Sequence, residues 1–268
     1  MHTHHLDISD DEVRKRFVSW SDGEADREWA GLVALDRHAP GLAPRPITRD
    51  TENGAPVIVM SRLPGEPLGD SPITPQQLEA LTASVRRLFS VPVSACVPER
   101  AWGPSAMRAG VREWATADRD LSECAEPTLV ARAVHAVRSW LASNATEHDT
   151  VVDAVVALGD GNLANILWDG TTCRLIDFEE FGRSDLAYEV ADIVEHASSR
   201  LGRLLEIDAF IEGLGLDHDQ CVRLSYFRRL LAAFWLVMLL PGNRGWERNP
   251  AGSTEDQARH VLALLEGT

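Results

Sequence analysis

The sequence predicts a two-lobe α+β fold, with a small strand-rich front and a large helical rear. Three observations predict it. Strand-like segments fall before residue 61, a Pro/Gly-marked joint "SRLPGEPLG" occupies residues 61–69, and beyond it apolar residues mostly recur at helical spacing. The expected division is a front lobe at residues 1–64 and a rear lobe at 65–268.

The elements follow in order. Residues 4–19 read as two short strands around Ser9, Asp10 and Asp11. In "EVRKRFVS", Val13, Lys15 and Phe17 alternate with Arg14, Arg16 and Val18, so Lys15 shares a face with apolar neighbours. "GEADREWAGLVALDRHAPG" reads as a helix: Trp29, Leu32, Val33 and Leu35 keep its spacing, and Pro40-Gly41 ends it. Residues 57–60 form a buried strand that runs into a turn at Pro64-Gly65. The next helix has Thr74 as its cap, Pro75 at its first position, and Leu78, Leu81, Val85 and Leu88 on one stripe. Further helices are expected at 104–117, 126–143, 185–200, 202–213, 219–240 and 254–266, the last opened by a Ser253/Asp256 capping box. Between them lies "GDGNLANILWDGTTCRLIDFEEFG", residues 159–182, where Asp169-Gly170 turns a hairpin of strands 166–168 and 174–176. The open ends of that hairpin bring Asn165 and Asp177 together. With Asp160 they gather three oxygen-bearing side chains at one rim, a grouping suited to a hard cation such as Mg²⁺ that shares its ligands with phosphates.

Composition narrows the function. Apolar residues make up 44% of the chain and charged residues 25%, ordinary for a soluble globular protein. A net charge of −15 argues against nucleic-acid binding and suits a neutral or cationic small molecule. The four cysteines fit no metal or disulfide spacing. The start lacks the apolar core of a signal peptide, and the longest apolar run, 230–240, is too short for a bilayer, so a cytoplasmic protein without a membrane partner is expected. Of the 26 Lys and Arg residues only Lys15 is a lysine, and a compact ammonium suits phosphate oxygens.

The order strand lysine, helix glutamate, joint, D-x-x-x-x-N, hairpin, D-F resembles that of protein kinases. Within it "LGDGNLANILWD" and "RLIDFEEFGRSDLAYEVADIVEH" resemble the aminoglycoside phosphotransferase family of small-molecule kinases, closely over residues 155–196 and more loosely over 13–70. The resemblance implies a protein-kinase-like fold with a shortened front lobe, and ATP or GTP with Mg²⁺ as the phosphoryl donor. It implies Asp160 as catalytic base, Asn165 and Asp177 as metal ligands, and a phosphate-holding pair of Lys15 and Glu28. Met60 and Arg62 fall where the joint would meet the nucleotide, and Asp185 corresponds to a brace of the catalytic loop. The sequence departs from the family at Leu158, where the family has histidine. It also has no glycine before Gly23, so the wall over the nucleotide is expected to be shortened or supplied by other segments.

Phosphoryl transfer needs positioning and charge neutralisation, which these residue types supply. Glu179, Glu180, Asp192, Glu195 and His196 are candidates for holding a cationic acceptor such as an antibiotic, with solvated helix surface as the alternative. The histidines of "HTHH" read as a loose start, and Trp29, Trp140 and Trp235 as core. Trp102 and Trp246 lie in Pro/Gly-rich loops, packed there or stacked on a substrate. Two other function classes compete: a catalytically weak pseudokinase or binding module, and a metal-dependent hydrolase, which would leave Lys15 and Glu28 without a role.

Overall fold

The computed structural model describes residues 4–20, 22–94, 97–143 and 148–267. His2 and Thr3 of the histidine-rich start lie outside the described residues, as does Cys96. Four antiparallel strands form the front sheet: β1 (His5–Ile8), β2 (Glu12–Arg16), β3 (Pro46–Glu52) and β4 (Ala55–Ser61), in the order β1-β2-β4-β3. Lys15 on β2 stands opposite Leu6 of β1 and Ile58 of β4. Helix α1 (Glu24–His38) packs on β3 and β4 and buries Leu32 and Leu35. Sequence reading missed β3. Its residues "PITRDTE" are mostly exposed and show no apolar alternation. What makes them a strand is the Asn53-Gly54 turn, with φ of 52° and 83°, which folds them back on the buried β4.

The rear holds β5 (Glu66–Pro67), β6 (Ala154–Ala157), β7 (Ile166–Trp168), β8 (Cys173–Leu175) and β9 (Gly182–Asp185). The expected hairpin is β7 and β8, with β5 added on the β7 side, while β6 and β9 pair antiparallel and frame residues 158–181. That second pair corrects the expectation of helix alone outside the hairpin. The helices are α2 (Pro75–Phe89), α3 (Pro104–Thr116), α4 (Pro127–Ser143), α5 (Leu186–Glu195), α6 (Ala197–Arg200), α7 (Ile207–Leu214), α8 (His218–Met238), α9 (Arg244–Arg248) and α10 (Ser253–Glu266).

Three boundaries differ from expectation for local reasons. The helix expected at 185–200 breaks at His196, whose Nδ1 accepts the Ser198 N–H at 3.1 Å and starts a new turn. The helix expected at 202–213 begins only at Ile207, because Gly202 and Arg203 hold φ of 82° and 53°. Gly252, not a serine box, precedes α10, and no side chain caps that end. Helix α8 runs through the rear core against α5, α10 and α3, with Phe227, Leu230 and Leu231 fully buried. Truncating Phe227 to alanine there would cost about 3–5 kcal/mol. Among the described residues no helix is long and apolar enough to cross a membrane.

Candidate active site

Two glycines shape the loop around Asp160. A side chain at Gly159 (φ 93°) would stand 2.3 Å from the Glu180 carbonyl oxygen, and one at Gly161 would stand 2.3 Å from that of Asp192. Only bare backbone lets the loop press this closely between the turn before β9 and α5. Asp160 is then held by its neighbours: Oδ1 accepts the Asn162 N–H at 3.1 Å and Oδ2 accepts the Asn165 side-chain N–H at 3.1 Å. His196 Nε2 lies 3.4 Å from Asp160 Oδ1. Burial pushes the Asp160 carboxyl up, helped by the nearby Asp192 and Asp177, and His196 and the Asn162 N–H only partly oppose it. Burial conversely pushes the His196 imidazole down.

Leu158 is buried, and the loop is braced by a residue that sequence reading did not single out. Arg100 donates to the Gly159 carbonyl at 2.6 Å and to Asp192 Oδ2 at 2.8 Å, and it also pairs with Glu189. Its guanidinium lies 4.9 Å over the Tyr188 ring. Asp185, fully buried, caps α5 through the Ala187 and Tyr188 N–H groups and takes the Val152 N–H and Arg223. It thus braces the entry to β6 rather than touching the loop itself.

The lone lysine is the centre of a second cluster. Lys15 Nζ sits 2.9 Å from Glu28 Oε2, 2.5 Å from Asp177 Oδ1 and 3.2 Å from Glu179 Oε2. Burial works against the ammonium, but Glu28, Asp177 and Glu179 outweigh it and raise its pKa. Burial also pushes Glu28 up, against the pull of Lys15. Asp177 occupies the left-handed region at φ 67°, a conformation an aspartate tolerates and most side chains avoid. His4, expected in a loose start, is buried: Nε2 meets Glu179 Oε2 at 2.7 Å and Nδ1 accepts the Val18 N–H at 3.1 Å. Burial raises Glu179, yet His4 and Lys15 prevail and hold it down to about 2.

Asn165 gives its amide N–H to Asp160, which leaves its oxygen for another partner, and the Asp177 side chain is 37% exposed. Among the described residues no group of three or more His, Cys, Asp or Glu side chains converges as a metal cage. One amide oxygen and one carboxylate fit a hard cation that takes its remaining ligands from phosphates and water. Met60 is buried on β4, and Arg62 donates to the Ser9 carbonyl at 3.1 Å, tying the joint to the β1–β2 turn.

The acidic residues expected to hold a cationic acceptor are already paired. Glu195 is fully buried, with Arg228 Nε and His260 Nε2 each 2.6 Å from one of its oxygens, so it has none to offer an acceptor. Asp192 is committed to Arg100. Glu180 lies 3.3 Å from Arg27, whose Nε donates to the Glu179 carbonyl at 2.6 Å. Glu179 belongs to the Lys15 cluster. Of the five, only His196, 3.4 Å from Asp160, lines a cavity of about 830 Å³ that extends over Trp235, a half-buried ring rather than a core one. Trp102, one of the two rings considered for stacking, is 43% exposed and leans on Trp114 with centroids 5.6 Å apart.

The fold has solved counterparts. The structure of spectinomycin phosphotransferase APH(9)-Ia, in complex with ADP and spectinomycin, aligns with 99% of this chain and 88% of its own at 15% identity, TM-score 0.63. A choline/ethanolamine kinase family protein from Mesorhizobium loti aligns with 99% of this chain and 86% of its own at 15% identity, TM-score 0.68. Aminoglycoside phosphotransferase APH(3'')-Id from Streptomyces rimosus, in complex with ADP and streptomycin, aligns with 83% and 86% at 20% identity, TM-score 0.55. These likenesses establish the kinase-like fold. Comparison with curated protein sequences gives no match. Residues 12–224 match the APH phosphotransferase enzyme family, a span that contains Lys15, Glu28, Asp160, Asn165 and Asp177. The chain belongs to the APH phosphotransferase enzyme family.

Proposed function

We propose that the protein is a small-molecule kinase that transfers the γ-phosphoryl group of Mg²⁺-bound ATP or GTP to a hydroxyl of its acceptor. The observation that carries this reading is the continuity of two clusters: Asp160 bonds Asn165, and Asp177, next to Asn165 at the hairpin's open end, bonds Lys15 and through it Glu28. Asp160 orients the acceptor hydroxyl and takes its proton, and its raised pKa makes it a better base than an ordinary carboxylate. Lys15, steadied by Glu28, grips the non-transferred phosphates. Asn165 and Asp177 would hold Mg²⁺, which neutralises charge developing on the phosphate oxygens. His196 beside Asp160 positions that carboxylate. Support comes from the family match and from the fold shared with ADP-bound structures.

The test is nucleoside diphosphate release over a panel of hydroxylated acceptors, with Asp160→Asn as the control. The variant should keep its fold and nucleotide binding while losing about 10²-fold or more in turnover. Because burial works against the wild-type carboxylate, replacing it with a neutral amide should leave the variant no less stable than wild type. Wild-type turnover in Asp160→Asn would remove Asp160 from the chemistry. Nucleotide binding without any turnover over the panel would favour the binding-module reading.

A further inference from the structure

The cavity beside Asp160 carries a charge at odds with the rest of the chain. The chain has a net charge of −15, yet the charged side chains over this cavity are mainly basic. Its inner wall is His196, Phe234, Trp235 and Met238, and its mouth carries Arg244 and Arg248 of α9. His196 and Trp235 meet edge to face with ring centroids 4.6 Å apart, so the aromatic wall begins where the Asp160 contact ends. The position of α9 is fixed: Asn243, just before it, donates to the Val237 carbonyl at 2.6 Å and accepts from Arg119 at 3.2 Å. Neither Arg244 nor Arg248 has an ion-pair partner among the described residues. Asp256, the carboxylate on the same wall, is 3.0 Å from Arg200. A polycationic acceptor would meet two unneutralised arginines at the mouth, and the carboxylate on the lining, Asp256, already faces Arg200.

We propose that the acceptor is a hydroxylated compound with an apolar, ring-bearing body and an anionic group, its body lying on Trp235 and Phe234 and its anion held by Arg244 and Arg248. This rests on the kinase reading above. A guanidinium binds a carboxylate or phosphate through a planar fork, and an indole face takes an apolar ring. With the anion anchored at the mouth, a hydroxyl reaches Asp160 at the inner end. The acceptor oxygen then bonds the γ-phosphorus, the bond from that phosphorus to the β–γ bridging oxygen breaks with its electron pair leaving on the nucleoside diphosphate, and the hydroxyl proton passes to Asp160.

The test titrates the protein by fluorescence with 8-anilinonaphthalene-1-sulfonate, an apolar ring body carrying one anion, and with 9-aminoacridine, a ring body carrying one cation. The sulfonate should bind saturably, at least tenfold tighter than the acridine. It should weaken at least tenfold in the double variant Arg244→Ser/Arg248→Ser. Both arginines are exposed and unpaired, so the double variant should keep the wild-type melting temperature. Equal binding of the two probes, or sulfonate binding indifferent to the arginines, overturns the assignment. The kinase reading is checked on the same samples by Mg²⁺-nucleotide stabilisation, present in wild type and lost in Asp177→Ala. Failure there, with arginine-dependent sulfonate binding intact, overturns the nucleotide reading and leaves the anion-binding cavity standing.

Discussion

Replacing Glu179 with glutamine isolates one charge in the Lys15 cluster. The amide keeps the size of the side chain and an oxygen that can still accept from His4 or Lys15, which lie 2.7 and 3.2 Å from the present carboxylate. In the folded protein that carboxyl is held from 4.5 down to about 2, which corresponds to about 3 kcal/mol in favour of folding at neutral pH. Its side chain is 24% exposed, so little of this is lost to solvent screening. The sign follows from the depression: the stabilisation is complete above the unfolded value and is lost as pH falls through the folded one. Glu179→Gln should therefore be about 2–3 kcal/mol less stable than wild type at pH 7, with the gap shrinking by roughly half at pH 3. The difference reports Glu179 together with the charges set against it, chiefly Lys15 and Glu180. Urea unfolding followed by circular dichroism at the two pH values measures it, with equal m-values as the check on two-state behaviour. A gap that is the same at pH 3 and pH 7, or absent at pH 7, would refute the cluster as described.

Three further outcomes follow from the same contacts. Asp177→Ala should abolish the rise in melting temperature produced by Mg²⁺-nucleotide, while Asn165→Ala should reduce it less, since an amide oxygen contributes less charge than a carboxylate; equal thermal shifts in wild type and Asp177→Ala count against the metal assignment. Lys15→Arg should cut turnover at least tenfold, about 1.4 kcal/mol of transition-state stabilisation, because a planar fork replaces a point charge set among Glu28, Asp177 and Glu179; unaltered kcat/KM would dismiss it. Arg100→Met leaves Glu189 and Asp192 buried and unpaired and should cost about 3–5 kcal/mol in denaturant unfolding.

The parts legible in the sequence are those set by local chemistry or by a single rare residue. Asp169-Gly170 announces the β7–β8 hairpin and so brings Asn165 beside the strand end that precedes Asp177. Lys15 stands out because every other basic residue but histidine is arginine, and its pairing with Glu28 follows from strand and helix lying on the same sheet. What stays hidden depends on long-range partners. Nothing near Glu195 in sequence shows that Arg228 and His260, from α8 and α10, will take both its oxygens, so an apparent acidic acceptor face is in fact core. Arg100 is one arginine among many until the fold sets it under Gly159. His4 lies 175 residues from Glu179, and no periodicity marks it. Strand β3 was hidden for a different reason: its exposed residues carry no pattern, and the Asn53-Gly54 turn is the only local sign of it.

The 2.5 Å contact between Lys15 and Asp177 has a consequence for how the site fills. Lys15 and Asp177 satisfy each other, so β2 and the end of the hairpin are joined as two halves of a clasp. Phosphate drawn to Lys15 alone would leave Asp177 facing an anion with no counter-charge, and a divalent ion drawn to Asp177 alone would leave it facing an ammonium. Each arrival is costly by itself, and the two together exchange one ion pair for two. On the proposed kinase reading the clasp would act as a coincidence lock, opening for a metal–nucleotide pair as a unit and holding shut against either ion separately.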